Sequence, residues 1–352
     1  QLVIDNLWQP PLSLNLSADY NGKAIDGIAF LKSALRNKES TPILTSLYQA
    51  TGSATGAMTL TLPITKTISY SDVKLGINAN LTNVTLLEFF KGHDVNQGNY
   101  KMEFSNNQLS LSGESSIIDT PINVNYKQSF ISPNQIDNSI KIDTLMDVAT
   151  IEKFGYVSLP FIDGPLAINL QYHNKKQKEH YHIVADLTNS NINFNMLNII
   201  KPINIKAILT VDANQHHKEA LEIEKLSVIG DNIHINGSAT IDKDLKTLNK
   251  ANFSNITIGN NDFGALYNKD GSGYQIVIKG KKLDLSTATM SKLIKPSTLD
   301  PLYREAELTL DQLYMKQDLV WNEVTANMLC APDLCQSINF YAKFNEGNYV
   351  AA

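Results

Sequence analysis

The chain has 352 residues, 43% of them hydrophobic, which is too apolar for a disordered segment and long enough for one large domain or about two to three ordinary ones. Its 30 basic and 35 acidic residues leave a net charge of −5 and are scattered without blocks of one sign. That argues against the clustered basic stripe of a nucleic-acid-binding protein and against a polybasic patch for anionic headgroups. No run approaches the roughly 18 uninterrupted apolar residues of a membrane-spanning helix, so the chain is expected to be soluble as it stands.

It opens in strand-like Gln1-Leu2-Val3-Ile4 without a signal segment, and reads as a processed product or an excised piece whose anchor lies outside it. Helical spacing is found over Ile25–Leu35, and again after Thr41-Pro42, where an N-cap and a first-turn proline precede Ile43, Leu44, Leu47 and Tyr48 on one face. Period-two alternation then dominates: Met58, Leu60, Leu62 and Ile64; Val73, Leu75, Ile77, Ala79 and Leu81; Tyr100, Met102 and Phe104; Leu109 and Leu111; Ile122, Val124 and Tyr126. A further helix is expected over Asp143–Phe154, with Leu145, Met146 and Ala149 on one side and Gly155 ending it. Alternation resumes at Ile168, Leu170 and Tyr172. A short helix over Phe194–Ile200 precedes Ile203, Ile205, Ala207, Leu209 and Val211, followed by Ile233 and Ile235, by Tyr274, Ile276 and Ile278, and by Leu308 and Leu310. The last expected helix covers Ser286–Ile294, capped by Ser286 and closed by Pro296. Asn106-Asn107, Gly230-Asp231-Asn232 and Gly271-Ser272-Gly273 fall between neighbouring runs as hairpin turns.

The pattern predicts a mainly β fold, an elongated, curled antiparallel sheet with a few short helices, with residues 1–140 and 141–352 as successive segments of it. One apolar face per strand has to be covered by something. A closed two-sheet sandwich achieves this, and so does a sheet curled into an open groove with helices at its ends and a ligand on the concave side. Periodicity serves both equally. The groove reading makes Leu60, Leu62, Leu75, Ile77, Ile168, Leu170, Ile205, Leu209, Ile276 and Ile278 the candidate lining; the sandwich reading makes them core.

No catalytic constellation is found: there is no Gly-x-Ser-x-Gly elbow, no phosphate loop ending in Lys-Ser/Thr and no His-Glu-x-x-His, and no cofactor is expected. His180 and His182 share one strand face, with His173 across a lysine-rich hairpin loop, but no carboxylate or cysteine is placed to complete a metal shell, so they read as a polar outer face. His216-His217 read the same way. Glu222 with Glu224 and Asp242 with Asp244 read as solvated strand faces. Cys330 and Cys335, the only two cysteines, flank Ala-Pro-Asp-Leu; a Pro-Asp turn would set them opposite each other, as a hairpin disulfide or as two buried thiols.

Several segments resemble the AsmA-like superfamily of Gram-negative envelope proteins, in its YhdP-type branch. Gly273 to Ser286 is similar to the branch's Gly-x-Tyr, alternating strand and Gly-x-x-Leu-Asp-x-Ser signature. Ala185-Asp186-Leu187-Thr188, then Ile192, Phe194 and Leu197, then Lys201-Pro202, resembles its Asp-Leu-Thr strand, short helix and Lys-Pro. Gly52 to Ala57 running into Leu60, Leu62 and Pro63, then Leu81-Thr82-Asn83-Val84, is similar to the family's Gly-x-Ala-x-Gly opening, and Asp163-Gly164-Pro165-Leu166 to its Gly-x-Leu turn. The family's anchor helix is absent, and the match loosens after Tyr314. The resemblance implies a β-groove like that of bridge-like lipid-transfer proteins, periplasmic and held in the inner membrane by an anchor outside this chain. It implies phospholipid or another acyl lipid as the partner, with outer-membrane or envelope proteins at the far end, and no active site.

Overall fold

The computed structural model of the chain describes residues 1–5, 12–34, 50–69, 72–90, 92–106, 108–130, 137–154, 161–194, 197–216, 219–245, 247–269, 271, 273–287, 303–316, 319–331, 335–344 and 349–351. The helix expected at Thr41–Tyr48, and that expected over Ser286–Ile294 beyond Thr287, lie outside these residues. The fold is mainly β. Twenty strands hydrogen-bond into one sheet that is not closed into a barrel, a further three form a small second sheet, and the described residues hold two helices. Contacts divide the chain into two units, Gln1–Leu145 with Asn169–Glu179, and Met146–Ile168 with His180–Ala352.

The first unit is a meander. Strand β1 (Leu2–Asp5) pairs with β2 (Ser13–Lys23), which leads into helix α1 (Ala24–Ala34) and then into β3 (Ser53–Pro63), β4 (Lys74–Phe90), β5 (His93–Ser105), β6 (Gln108–Ile117), β7 (Thr120–Ser129) and β8 (Asp137–Asp147). Each of these strands pairs antiparallel with the next. The alternation seen in sequence sets one face: Phe104, Leu109 and Tyr126 are buried together with Leu31 of α1 and Phe130.

In the second unit, α2 (Val148–Lys153) follows directly on β8. Asp147 caps it, accepting hydrogen bonds from Thr150 N at 2.8 Å and Thr150 Oγ1 at 2.7 Å. Strands β9 (Ile162–Asp163), β10 (Pro165–Lys175), β11 (Lys178–Asp186), β12 (Asn191–Phe194) and β13 (Ile199–Lys201) come next; β9, β12 and β13 make the small sheet. The main sheet continues with β14 (Ala207–His216), β15 (Leu221–Gly230), β16 (Ile233–Ile241), β17 (Leu248–Ile258), β18 (Asn261–Lys269), β19 (Gly273–Asp284), β20 (Tyr303–Tyr314), β21 (Val320–Cys330), β22 (Cys335–Lys343) and β23 (Tyr349–Ala351). Strands β19 and β20 run parallel. Such a pair needs a crossover of about a dozen residues or more, which the sequence between them supplies. Cys330 and Cys335 pair across β21 and β22 and form a disulfide.

One end of the second unit's apolar face is closed by the small sheet, whose Ile162, Ile192 and Ile199 pack on a core of Leu166, Leu187, Ile233, Ile258, Leu283 and Leu313. Two stretches distant in sequence lock this closure. Lys201, 1% exposed, donates to the carbonyls of Ser190 at 2.7 Å, Pro202 at 3.1 Å and Thr188 at 3.3 Å. Asp284, 2% exposed, accepts from Ser286 N and Asn198 Nδ2 at 2.9 Å and from Asn260 Nδ2 at 3.0 Å. Burial pushes the Asp284 carboxyl up, but the hydrogen bonds from Ser286, Asn198 and Asn260 outweigh it and hold the group below its ordinary 3.8.

Three expected elements differ. Asp143–Asp147 is strand and not the first turn of a helix: Ile140, Ile142, Thr144 and Met146 keep period two, and Ile122 pairs with Thr144 and Val124 with Ile142, so cross-strand pairing overrides a weak helical spacing. Phe194 and Ile199–Ile200 are strand residues of the small sheet instead of a helix. Ile203 and Ile205 sit in the turn before β14, which begins only at Ala207. Pro202 cannot donate to a ladder, which keeps that segment out of the sheet.

Asp284→Ala is expected to destabilise the protein by about 3 kcal/mol, since it strands several buried donors. Because the folded-state pKa of Asp284 lies below 3.8, its contribution is intact above pH 4 or so and is lost as pH falls through that lowered value. Urea unfolding of wild type and variant should therefore differ most near neutral pH and converge in acid.

Candidate functional site

Directly paired residues on neighbouring strands point to the same side of a sheet, so register shows how continuous each apolar face is. In the first unit, pairing aligns Ala18, Met58, Ile77, Phe104 and Leu109 across β2 to β6. Beside them runs a second row: Tyr20, Gly56, Ala79, Met102, Leu111, Tyr126 and Ile140. The first row ends in polar groups, Leu109 pairing with Gln128 and Gln128 with Asn138. There the Tyr126 hydroxyl donates to Gln128 Oε1 at 2.5 Å and that of Tyr172 to Glu179 Oε1 at 3.1 Å. Burial pushes the Tyr126 hydroxyl well above the phenol range, and pushes that of Tyr172 up to about 12.

Helix α1 covers part of this face. Ala24, Ile28 and Leu31 recur at helical spacing and are all buried, while Phe30 is 46% exposed. Beneath the helix remains an apolar cavity of about 250 Å³. Ala18, Tyr20, Ala54, Gly56, Met58, Ile77, Ala79, Leu81 and Met102 line it from the sheet, and Ala24, Gly27, Ile28, Phe30 and Leu31 from the helix. Its charged lining residues, Asp19 and Asp26, are exposed. The space exists because the floor is made of small residues. A Cβ on Gly56 would come within 2.3 Å of Asn78 O and 2.7 Å of Ala79 Cα, so only glycine allows β3 and β4 to meet there. An aliphatic cavity of ~150 Å³ holds a benzene-sized molecule, so this one has room for about ten carbons.

The second unit aligns three apolar rows. Leu209, Val228, Ile235, Ile256, Phe263, Gly280, Leu310 and Val324 make the innermost, next to the small sheet. Val211, Leu226, Gly237, Phe253, Ala265, Ile278, Leu308, Ala326 and Phe340 follow, and then Ala213, Ile223, Ala239, Ala251, Tyr267, Ile276, Ala306, Met328 and Ile338. On β21 and β22 cover decreases away from the small sheet: Val324 is fully buried, whereas Met328 is 36% and Ile338 60% exposed.

Of the residues singled out in sequence, Leu60, Leu62, Leu75, Ile77 and Leu170 belong to the first unit, and Ile168, Ile205, Leu209, Ile276 and Ile278 to the second. All ten are half-buried. Leu75 and Ile77 pack against the first unit's core, and Ile168, Leu209 and Ile278 against the second's. Ile205 stands apart from the strand faces, in its turn. Ile77 alone of the ten lines the cavity, whose other walls include the small residues Gly56 and Ala79 and the inner side of α1. The 24, 28, 31 spacing of α1 was the available signal.

His173, His180 and His182 are each held by a polar partner of their own. His182 Nδ1 is 2.5 Å from Asp212 Oδ1, His180 Nδ1 is 3.0 Å from Asn214 Oδ1, and His173 Nε2 is 3.2 Å from Asp137 Oδ1. His217 lies outside the described residues. Among the described residues no group of three or more His, Cys, Asp or Glu could hold a metal ion, and no helix is long and apolar enough to cross a membrane. No protein-family model matches the chain, and no curated protein or solved structure matches it either.

Leu31 is the side chain that ties α1 to the sheet, so Leu31→Ala is expected to lower stability by about 2–5 kcal/mol. Urea unfolding followed by circular dichroism measures it. A loss below 0.5 kcal/mol or so would mean that the helix does not depend on this contact.

Proposed function

We propose that this chain shields the acyl chains of phospholipid or a similar lipid, as a conduit segment between the inner and outer membranes of a Gram-negative envelope. The carrying observation is the apolar cavity under α1, opening on a sheet face whose rows stay apolar from strand to strand. A phospholipid has roughly thirty methylenes, and at about 0.8 kcal/mol each an unshielded crossing of water would cost on the order of 25 kcal/mol. A one-sided apolar face lowers that cost without recognising any particular group, so it needs no catalytic residues. The disulfide between Cys330 and Cys335 supports an oxidising compartment such as the periplasm. The likeness of Asp186 to Lys201 and Gly273 to Ser286 to the AsmA-like pattern supports the envelope placement and an anchor outside this chain.

The test is direct. The protein purified from envelope extracts is expected to release phospholipid into organic solvent. A photocrosslinking residue at position 77 should label lipid, and one at position 78, on the opposite face, should not. Ile77→Asp should lower lipid recovery by about tenfold or more with the sheet intact by circular dichroism, while Asn78→Asp should leave it unchanged. Absence of lipid, with no crosslink at position 77, would leave an envelope structural or adhesion module with a closed core as the better reading.

A further inference from the structure

The third apolar row of the second unit is followed, one step further along the strands, by a row of different chemistry. Lys269 pairs with Tyr274, Tyr274 with Arg304, and Arg304 with Cys330. Two residues along a strand return to the same face, so Lys269, Tyr274 and Arg304 share the face of Tyr267, Ile276 and Ala306. Two cations thus flank one tyrosine at the margin of an apolar surface, with the Tyr267 and Tyr274 rings 6.1 Å apart beside them.

Arg304 is the unusual member. Its Nε and Nη2 are shielded from water and have no hydrogen-bond partner. The carboxylates of its own strand do not reach it: Glu305 and Glu307 point to the other face, where Gln275 Nε2 donates to Glu305 at 3.0 Å and Lys279 Nζ lies 2.9 Å from Glu307. Among the described residues Lys269 makes no ion pair either. A guanidinium edge held dry without an acceptor is costly unless something supplies one. The matching group is planar or tetrahedral, anionic and able to accept two parallel N–H bonds, as phosphate does.

The neighbouring surface says what carries the phosphate. Ile276, Ala306 and Met328 begin immediately below the cations, and Ile278 and Leu308 follow. At about 3.3 Å per residue, the path from Arg304 to Leu308 is ~13 Å. One acyl chain spans half of a ~30 Å hydrocarbon core, a similar length. We infer that Arg304 and Lys269 hold the phosphate head of an anionic amphiphile whose tail lies on the Ile276–Leu308 surface, so that this face fixes the orientation of its lipid. The inference rests on the acyl-binding reading above and adds a headgroup class to it.

Isothermal titration of the full chain with dioctanoyl phosphatidic acid, dioctanoylglycerol and inorganic phosphate tests it. The expected order is phosphatidic acid tightest, the neutral diacylglycerol weaker, and inorganic phosphate weakest. Arg304→Gln should weaken phosphatidic acid by roughly ten- to a hundredfold and leave dioctanoylglycerol unchanged. Lys269→Gln should have a smaller effect of the same kind, and Lys279→Gln, on the opposite face, none. Without ligand, Arg304→Gln should melt no lower than wild type, because the charge it removes is unpaired; a lower melting temperature would assign Arg304 a structural role and overturn the inference. Equal affinity for phosphatidic acid and dioctanoylglycerol in wild type and Arg304→Gln would overturn it while leaving the conduit reading standing. Inorganic phosphate binding as tightly as phosphatidic acid would make this a free-phosphate site. Binding of neither lipid would remove both readings together.

Discussion

Cross-strand register is the constraint on which the other features rest. A strand alternates its side chains with period two, so a single slipped residue would turn a whole strand's apolar set to the wrong side. The second unit absorbs such slips. In β15 the inward residues are Ile223, Leu226 and Val228, and in β17 they are Phe253, Ile256 and Ile258, each with one interval of three in place of two. Strand β16 lies between them and keeps regular spacing at Ile233, Ile235, Gly237 and Ala239. The bulges in its two neighbours fall one row apart: that of β17 between the rows marked by Ile235 and Gly237, and that of β15 between those marked by Gly237 and Ala239. The sequence phase shifts where the backbone does, and the apolar rows pass through unbroken.

Given continuous rows, polar groups can be tolerated only where the rows end, and they are found there. At the small-sheet end of the second unit, Lys201 and Asp284 are almost fully buried, and both are saturated by hydrogen bonds. They are a closure, in which two segments far apart in sequence meet through Asn198 and Asp284. At the other end Arg304 is shielded but unsaturated. The contrast separates a structural polar cluster from a candidate binding position by the same criterion, whether each donor has its acceptor.

Space on an apolar face comes from small residues, and cover comes from what lies above them. In the first unit Gly56 and Ala79 keep the floor low beneath α1, while Leu31, further along the helix, packs on Phe104, Leu109 and Tyr126 and holds the helix in place. The cavity between them is therefore a consequence of uneven side-chain size along two paired strands. A face of this kind suits flexible chains, because dispersion and burial scale with area and impose no particular geometry.

Much of the face was legible in the sequence because alternation is a local property. Leu75 with Ile77, Leu209, and Ile276 with Ile278 lie on apolar faces for the same reason that they alternate. The Pro-Asp sequence likewise pointed to Cys330 and Cys335 facing each other, although only the pairing of β21 with β22 decided between a disulfide and two thiols. Tertiary structure decided whatever depends on a neighbour. Asp143–Asp147 became strand because β8 has partners in β7 and β10, and Ile205 left the face because Pro202 keeps its segment out of the ladder. Gly56 and Ala79 became a cavity floor because α1 lies over them, and Arg304 was left without an acceptor because Glu305 and Glu307 face the other way. The period of a strand is written in its own residues, whereas cover, space and the satisfaction of a charge are properties of residues that meet only after the sheet has formed.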